Sequence, residues 1–131
     1  MSIIAHPAMP APPAALHPSW CDPRECHIRD HRPDGAPMLL VHAATVWAGR
    51  AGRAGRRLEL IQTQTLDHAG NPVRTHQPIV TVHGELGGFD APAAAKLAQA
   101  WVRAADLAAT SLPVSPEVAA VNALIDCGDP R

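Results

Sequence analysis

Proline is concentrated at the start of this 131-residue chain. Of the fourteen prolines, eight fall within the first 37 residues: Pro7, Pro10, Pro12, Pro13, Pro18, Pro23, Pro33 and Pro37. Proline fixes φ and lacks a backbone N–H, so this density excludes a long helix or a central strand there. We therefore predict a Pro-rich arm over residues 1–37 and a separate β-β-β-α-α domain over residues 38–131.

The segment after the arm has the composition of β-strands. Apolar and β-branched residues alternate from Met38 to Trp47, and a second alternating run covers residues 57–67. The sequence Gly-Asn-Pro at 70–72 is a strong turn signal. A third strand is predicted over residues 73–83, where Pro78 requires an edge position or a bulge.

Helical periodicity begins after the glycines at 84, 87 and 88. Asp90 is a suitable N-cap and Pro92 suits the first turn. Leu97, Trp101 and Ala104 lie on one apolar face, which predicts that Trp101 belongs to the core. A shorter helix is predicted from residue 115 to Gly128. The fold class expected is therefore α+β: a three-stranded antiparallel β-meander covered by one main helix, with a short C-terminal helix and the N-terminal arm.

Charge and cysteine content restrict the kinds of partner and compartment. The formal net charge of -1 provides no general attraction to nucleic acid or to an anionic membrane. No apolar run is long enough to span a bilayer. Three cysteines are an odd number, which argues against a disulfide framework and fits a reducing cytoplasm. We expect a cytoplasmic protein.

Potential metal ligands cluster in HPSWCDPRECHIRDH, residues 17–31. Structural zinc sites combine four cysteine and histidine ligands in a tetrahedron. Cys21 and Cys26 are the preferred anchors, His31 the preferred third ligand, and His17 or Cys127 would complete the site. Because zinc modules usually draw ligands from two separated segments, His42 and His83 are further candidates for the second half. Trp20 would then pack over a closed, structural site.

Two other interpretations of this cluster remain open. The segment could be a polar tail whose Trp20 packs against the sheet while the cysteines and histidines face solvent. Cys21 and Cys26 could also form a disulfide, although a reducing compartment disfavours one.

A Gly/Arg-rich stretch between the first two predicted strands suggests a different function. Its arginines, Arg50, Arg53, Arg56 and Arg57, could neutralise phosphates without reading bases. The alternative is a solvated loop, which the near-neutral net charge favours. Sequence motifs for dinucleotide binding, P-loops, serine hydrolases and HExxH metalloproteases are absent.

Three pieces of the chain resemble a group of small actinobacterial and actinophage proteins of unknown function. The pieces are HPSWC at 17–21, LELIQTQTLDHAGNPV at 58–73 and GELGGFDAPAAAKLAQAWVRAADLA at 84–108. They match an N-terminal Trp-Cys segment, a β-hairpin and an Ala-rich helix. This chain departs from the group in its Phe-Asp-Ala-Pro helix start and its Gly/Arg insertion. The resemblance implies a fold outline and a bacterial or phage origin, and it implies no activity.

These observations favour a non-enzymatic accessory or interaction module with a structural zinc ion, whose partner is another protein. A nucleic-acid-associated regulator that uses the Gly/Arg stretch is the alternative. A metal-dependent enzyme is a third hypothesis, which would need an open coordination position and a nearby general base.

Overall fold

The computed structural model describes residues 16–49, 56–84 and 88–127, and side chains within the last helix as far as residue 124. The predictions for residues 1–15 of the arm, for Arg50 and Arg53, and for the helix end at Gly128 concern residues outside these ranges. Five strands and two helices follow in order: β1 His27–His31, β2 Pro37–Ala48, β3 Arg57–Leu66, β4 Pro72–Thr75, β5 Ile79–His83, α1 Ala91–Ala108 and α2 Pro116–Cys127.

All pairings in the sheet are antiparallel. β1 pairs with β2, and β2 pairs with β3. The other edge of β3 is shared by β4 and β5, which pair with its C-terminal and N-terminal halves respectively. The α+β class with an antiparallel sheet and two helices is confirmed, but the prediction of three strands is wrong because the sheet has five among the described residues.

Two features account for the additional strands. The predicted third strand is divided into β4 and β5 by residues 76–78, because Pro78 cannot donate a hydrogen bond to the neighbouring strand. β1 lies inside the segment predicted as a Pro-rich arm. The prolines at 23 and 33 flank β1 and none lies within it, so the proline density did not exclude a short edge strand there.

One face of the sheet packs against α1 around Leu58, Ala100 and Ala104, which are fully buried. Asp90 caps the helix, since its carboxylate accepts a hydrogen bond from the Ala93 N–H at 2.8 Å. The prediction that Trp101 is a core residue is wrong, because its side chain is 43% exposed. Alanines face the sheet instead and let the helix approach it closely.

A buried glutamine attaches the segment between the helices to the same face. Gln62 is fully buried; its amide donates to the Leu112 carbonyl and its carbonyl accepts from the Leu112 N–H, each at 2.9 Å. We call residues 109–115 the interhelical linker. His42 and Gln64 lie on this sheet face too, beside the linker. Within the described residues, no helix combines the length and the apolar character that crossing a bilayer requires.

Candidate metal centre

Four potential metal ligands meet where the segment before β1 contacts β2. His17, Cys21 and Cys26 come from residues 17–26, which we call the ligand loop, and His42 lies in the middle of β2. The ligand atoms of the four side chains all lie within 4.8 Å of one another. Cysteine thiolates and histidine nitrogens are the usual ligands of structural zinc.

Strand pairing explains why Cys26 and His42 are neighbours. In the β1–β2 pair His27 lies opposite Val41 and Ile28 opposite Leu40. Continuing this register by one residue toward the start of the chain places Cys26 opposite His42. The two side chains therefore belong to the same face of the sheet, although 16 residues separate them.

Backbone hydrogen bonds hold the ligand loop against β2. Within the loop the Cys26 N–H donates to the Asp22 carbonyl at 2.9 Å, and the Cys21 N–H donates to the Pro18 carbonyl at 3.0 Å. The Asp22 N–H donates to the Ala43 carbonyl at 3.0 Å. These bonds fold the loop back so that both cysteines face the same point.

A carboxylate adds a second attachment between the loop and the strand. Glu25 accepts from the backbone N–H of Thr45 at 3.1 Å and from its hydroxyl at 2.8 Å. The bond to the N–H is charge-assisted and leaves little freedom to the loop. These contacts attach the loop to β2 without involving the four ligand side chains.

The distances between sulfur and nitrogen are nearly uniform. The Cys21 sulfur lies 3.7 Å from Nδ1 of His17 and 3.6 Å from Nδ1 of His42. The Cys26 sulfur lies 3.7 Å from each of the same two nitrogens. The two imidazole rings are nearly perpendicular, with an interplanar angle of 89° and centroids 5.0 Å apart.

These distances match a tetrahedral zinc site. Bond lengths of about 2.3 Å to sulfur and about 2.0–2.1 Å to nitrogen, at the tetrahedral angle, place sulfur and nitrogen about 3.6 Å apart. Hydrogen bonding alone accounts for the pattern less well. Each thiol has a single proton and can donate to only one imidazole nitrogen, whereas a central cation holds each sulfur equally close to both.

Buried polar contacts orient the ring of His42. This side chain is fully buried, and its Nε2 lies 2.8 Å from Oε1 of Gln64. The amide nitrogen of Gln64 donates to the hydroxyl of Thr75 at 2.9 Å, so the amide oxygen faces the histidine. When the proton is on Nε2, His42 donates to this oxygen and the lone pair of Nδ1 faces the thiols, as binding a metal through Nδ1 requires.

Burial favours the uncharged forms of these groups when no metal is bound. Desolvation raises the pKa of Cys21, to which the nearby charges of Asp22 and Glu25 also contribute. It raises the pKa of Cys26 to about 12, with the adjacent Cys21 as the next cause. Desolvation lowers the pKa of His42. A divalent cation would reverse the cost at the sulfurs, because two thiolates neutralise its charge.

The ligand loop also contacts the interhelical linker. Trp20 is only 8% exposed, and its indole N–H donates to the Ser111 hydroxyl at 3.1 Å. The neighbouring Ser19 donates to Thr110 at the same distance. The site thus joins three parts of the chain: the loop through its own ligands, the sheet through His42, and the linker through Trp20.

Three of the four predicted ligands, His17, Cys21 and Cys26, belong to this group. His31 does not, because it lies at the far end of β1 opposite Pro37. Ile28, Arg29 and Asp30 separate it from His27, so it lies at the opposite end of the strand from the ligand loop. His42, one of the alternative second-half candidates, occupies the fourth position. The side chain of Cys127, another candidate, lies outside the described residues.

The other alternative candidates lie elsewhere. His83 is bonded to Glu59, with 2.8 Å between Nε2 and Oε1. Of the four arginines proposed to bind nucleic acid, Arg56 stacks over the ring of Phe89 at 4.4 Å and Arg57 lies 4.0 Å from Glu59. The structure therefore gives no observation that favours a phosphate-binding role for Arg56 and Arg57.

Comparison with protein-family models, with curated proteins and with solved structures finds no match to this chain. The resemblance to actinobacterial and actinophage proteins therefore stays a prediction.

Proposed function

We propose that this chain is a non-enzymatic interaction module in which a structural zinc ion, bound by His17, Cys21, Cys26 and His42, fastens the ligand loop to the sheet. The observation that carries the proposal is the set of four sulfur-to-nitrogen distances of 3.6–3.7 Å. Two thiolates and two imidazoles in a tetrahedron are the ligand set and geometry that zinc prefers.

A structural role follows from the number of ligands. Four protein side chains fill the coordination sphere, so no position is left for a reactive water, as a catalytic zinc would need. The ion would instead close a loop between residues 17 and 42. Linking distant parts of a small domain stabilises it, because metal binding contributes directly to the free energy of folding.

Exposed apolar side chains support a protein as the partner. Val102 on α1 is 63% exposed, and Val121 and Leu124 on α2 are 55% and 73% exposed. Isolated exposed aliphatic residues are ordinary, but several large ones on the two helices of a small domain favour an apolar contact surface. The net charge of -1 supports nucleic acid less well.

Metal analysis of the purified full chain tests the proposal. After dialysis against metal-free buffer, wild-type protein should retain one zinc ion per chain by inductively coupled plasma mass spectrometry. Cys21→Ser and Cys26→Ser should each lose it, while His68→Ala, in an exposed turn, should retain it. Wild-type protein that retains no metal and also fails to take up added zinc would refute the proposal.

A further inference from the structure

The ligand that ties the metal centre to the sheet is itself held by a buried amide. Gln64 is 5% exposed and lies opposite Leu40 in the β2–β3 pair, diagonal to His42. Its carbonyl oxygen is 2.8 Å from Nε2 of His42. Packing alone does not require a polar side chain here. Leu58, Leu60 and Leu66 fill other inward-facing positions of the same strand with apolar side chains, which cost less to bury.

Both ends of the amide have hydrogen-bond partners. The amide nitrogen donates to the Thr75 hydroxyl at 2.9 Å, and the Thr75 N–H in turn donates to the hydroxyl of Ser115 at 2.7 Å. A reversed amide would set its N–H₂ group against the Nε2–H of the histidine. With its oxygen toward the ring, Gln64 accepts the Nε2–H of His42 in the tautomer that leaves Nδ1 free for a metal.

We infer that Gln64 is a positioning residue of the metal centre: it presents Nδ1 of His42 to the metal and strengthens that nitrogen as a ligand. This inference rests on the proposed zinc site. Metal-bound histidines generally donate their second ring N–H to an oxygen acceptor, and loss of that acceptor typically weakens metal binding 10- to 100-fold. An amide is a weaker acceptor than a carboxylate, so a carboxylate in this place should support the ligand at least as well.

A second glutamine provides a matched control. Gln62 lies two residues earlier on the same strand and face and is fully buried. Its amide nitrogen donates to the carbonyls of His76 and Leu112, and its amide oxygen accepts from the Leu112 N–H, all at 2.9 Å. These bonds hold the interhelical linker, and none of them involves His42. Replacing Gln62 should destabilise the fold without removing a hydrogen bond from any ligand.

The test compares zinc dissociation constants, measured by competition with a chelator of known affinity, for folded wild-type, Gln64→Met, Gln64→Glu and Gln62→Met proteins. Gln64→Met should weaken zinc binding about 10- to 100-fold, whereas Gln62→Met should stay within about threefold of wild type even if its melting temperature falls. Gln64→Glu should bind zinc at least as tightly as wild type, because its carboxylate still accepts from His42 and the Thr75 hydroxyl can donate to it. Cobalt-substituted Gln64→Glu should retain the visible absorption of a tetrahedral site.

Each result decides the inference. Equal affinities for Gln64→Met and Gln62→Met would overturn it, as would a Gln64→Glu protein as weak as Gln64→Met. If Gln64→Met does not fold, a Gln64→Glu protein that binds zinc about 10-fold or more weakly than wild type would overturn the inference. Failure of the zinc proposal itself looks different, because the wild-type protein would then bind no zinc in the same assay.

Discussion

The sulfur of Cys21 lies 3.6 Å from Nδ1 of His42, although 21 residues separate the two along the chain. One belongs to an irregular loop and the other to the centre of a strand that is buried on this face. This contact joins the ligand loop, which has no hydrophobic core of its own, to the sheet, whose core lies against α1. A metal ion at this contact would therefore stabilise the domain and not just the loop.

Replacing the strand ligand should abolish metal retention. His42→Ala removes a fully buried nitrogen ligand, and we expect the purified variant to lose its zinc on dialysis. His31→Ala is the matched control, because the sequence suggests this residue as a ligand whereas the structure keeps it out of the group. Metal analysis of both variants distinguishes the two assignments. Loss of zinc from His31→Ala with retention in His42→Ala would show that the ligand set is wrong.

The ligand set shows what could and could not be predicted from the sequence. His17, Cys21 and Cys26 lie within ten residues of one another, so spacing alone identifies them as a group. His42 joins them only through the β1–β2 register, and β1 was not predicted. HIRDH contains a single large aliphatic residue, Ile28, so its pattern does not indicate a half-buried strand. The sequence contains one signal for the fourth ligand: His42 lies inside the apolar run of β2. A buried histidine there needs a hydrogen-bond partner or a metal ion.

The fold shows the same difference between local and non-local information. β2, β3 and the capped start of α1 follow from alternation and from the Asp90 capping residue, both of which are local patterns. The division of β4 from β5 follows from Pro78, but whether proline bends a strand or divides it depends on the neighbouring pairing. Which face of α1 is buried depends on the distance between the helix and the sheet. Ala100 and Ala104 are buried there, whereas the larger side chain of Trp101 is 43% exposed.

Removing zinc should destabilise the whole domain. A ligand present at about 1,000 times its dissociation constant contributes about 4 kcal/mol, which for a chain of this size corresponds to a melting temperature about 10 °C or more higher. Excess chelator should therefore lower the thermal midpoint of wild-type protein by this amount. Chelator should not change the midpoint of Cys21→Ser.

Amide exchange should also report the loss of zinc. It should increase in β2 as well as in residues 17–26, because His42 belongs to the strand. An effect confined to the loop would contradict this account.

Trp20 and Trp101, which the sequence predicts to be packed, should contribute differently to the free energy of unfolding. Trp20 is 8% exposed and Trp101 is 43% exposed. Trp20→Ala should cost about 3–5 kcal/mol, as is usual for a buried aromatic residue, and Trp101→Ala should cost less than half as much. Urea unfolding of the zinc-bound variants measures both. Equal losses would mean that α1 packs through Trp101 and not through Ala100 and Ala104.

Zinc binding should release protons in an amount that the thiol pKa values determine. Because burial raises the pKa of both Cys21 and Cys26, both sulfurs are protonated at pH 7 without metal and must lose their protons to bind it. His42, whose pKa is lowered by burial, is already neutral and releases none. We expect about two protons per zinc at pH 7, and an affinity that rises with pH below the thiol pKa values. Calorimetry in buffers of different ionisation enthalpy counts them, and a value below one would contradict the assigned thiolate ligands.

X-ray absorption spectroscopy at the zinc edge tests the central claim most directly, because it reports the atoms bound to the metal in the purified, zinc-loaded protein. The account predicts two sulfur neighbours at about 2.3 Å and two imidazole nitrogens at about 2.0–2.1 Å, with the multiple scattering that histidine rings produce. Cys26→Ser, which should not retain zinc on dialysis, should show one sulfur neighbour in place of two when it is measured with added zinc. A shell of oxygen and nitrogen atoms without sulfur, or with a single sulfur, would contradict the proposed centre of His17, Cys21, Cys26 and His42.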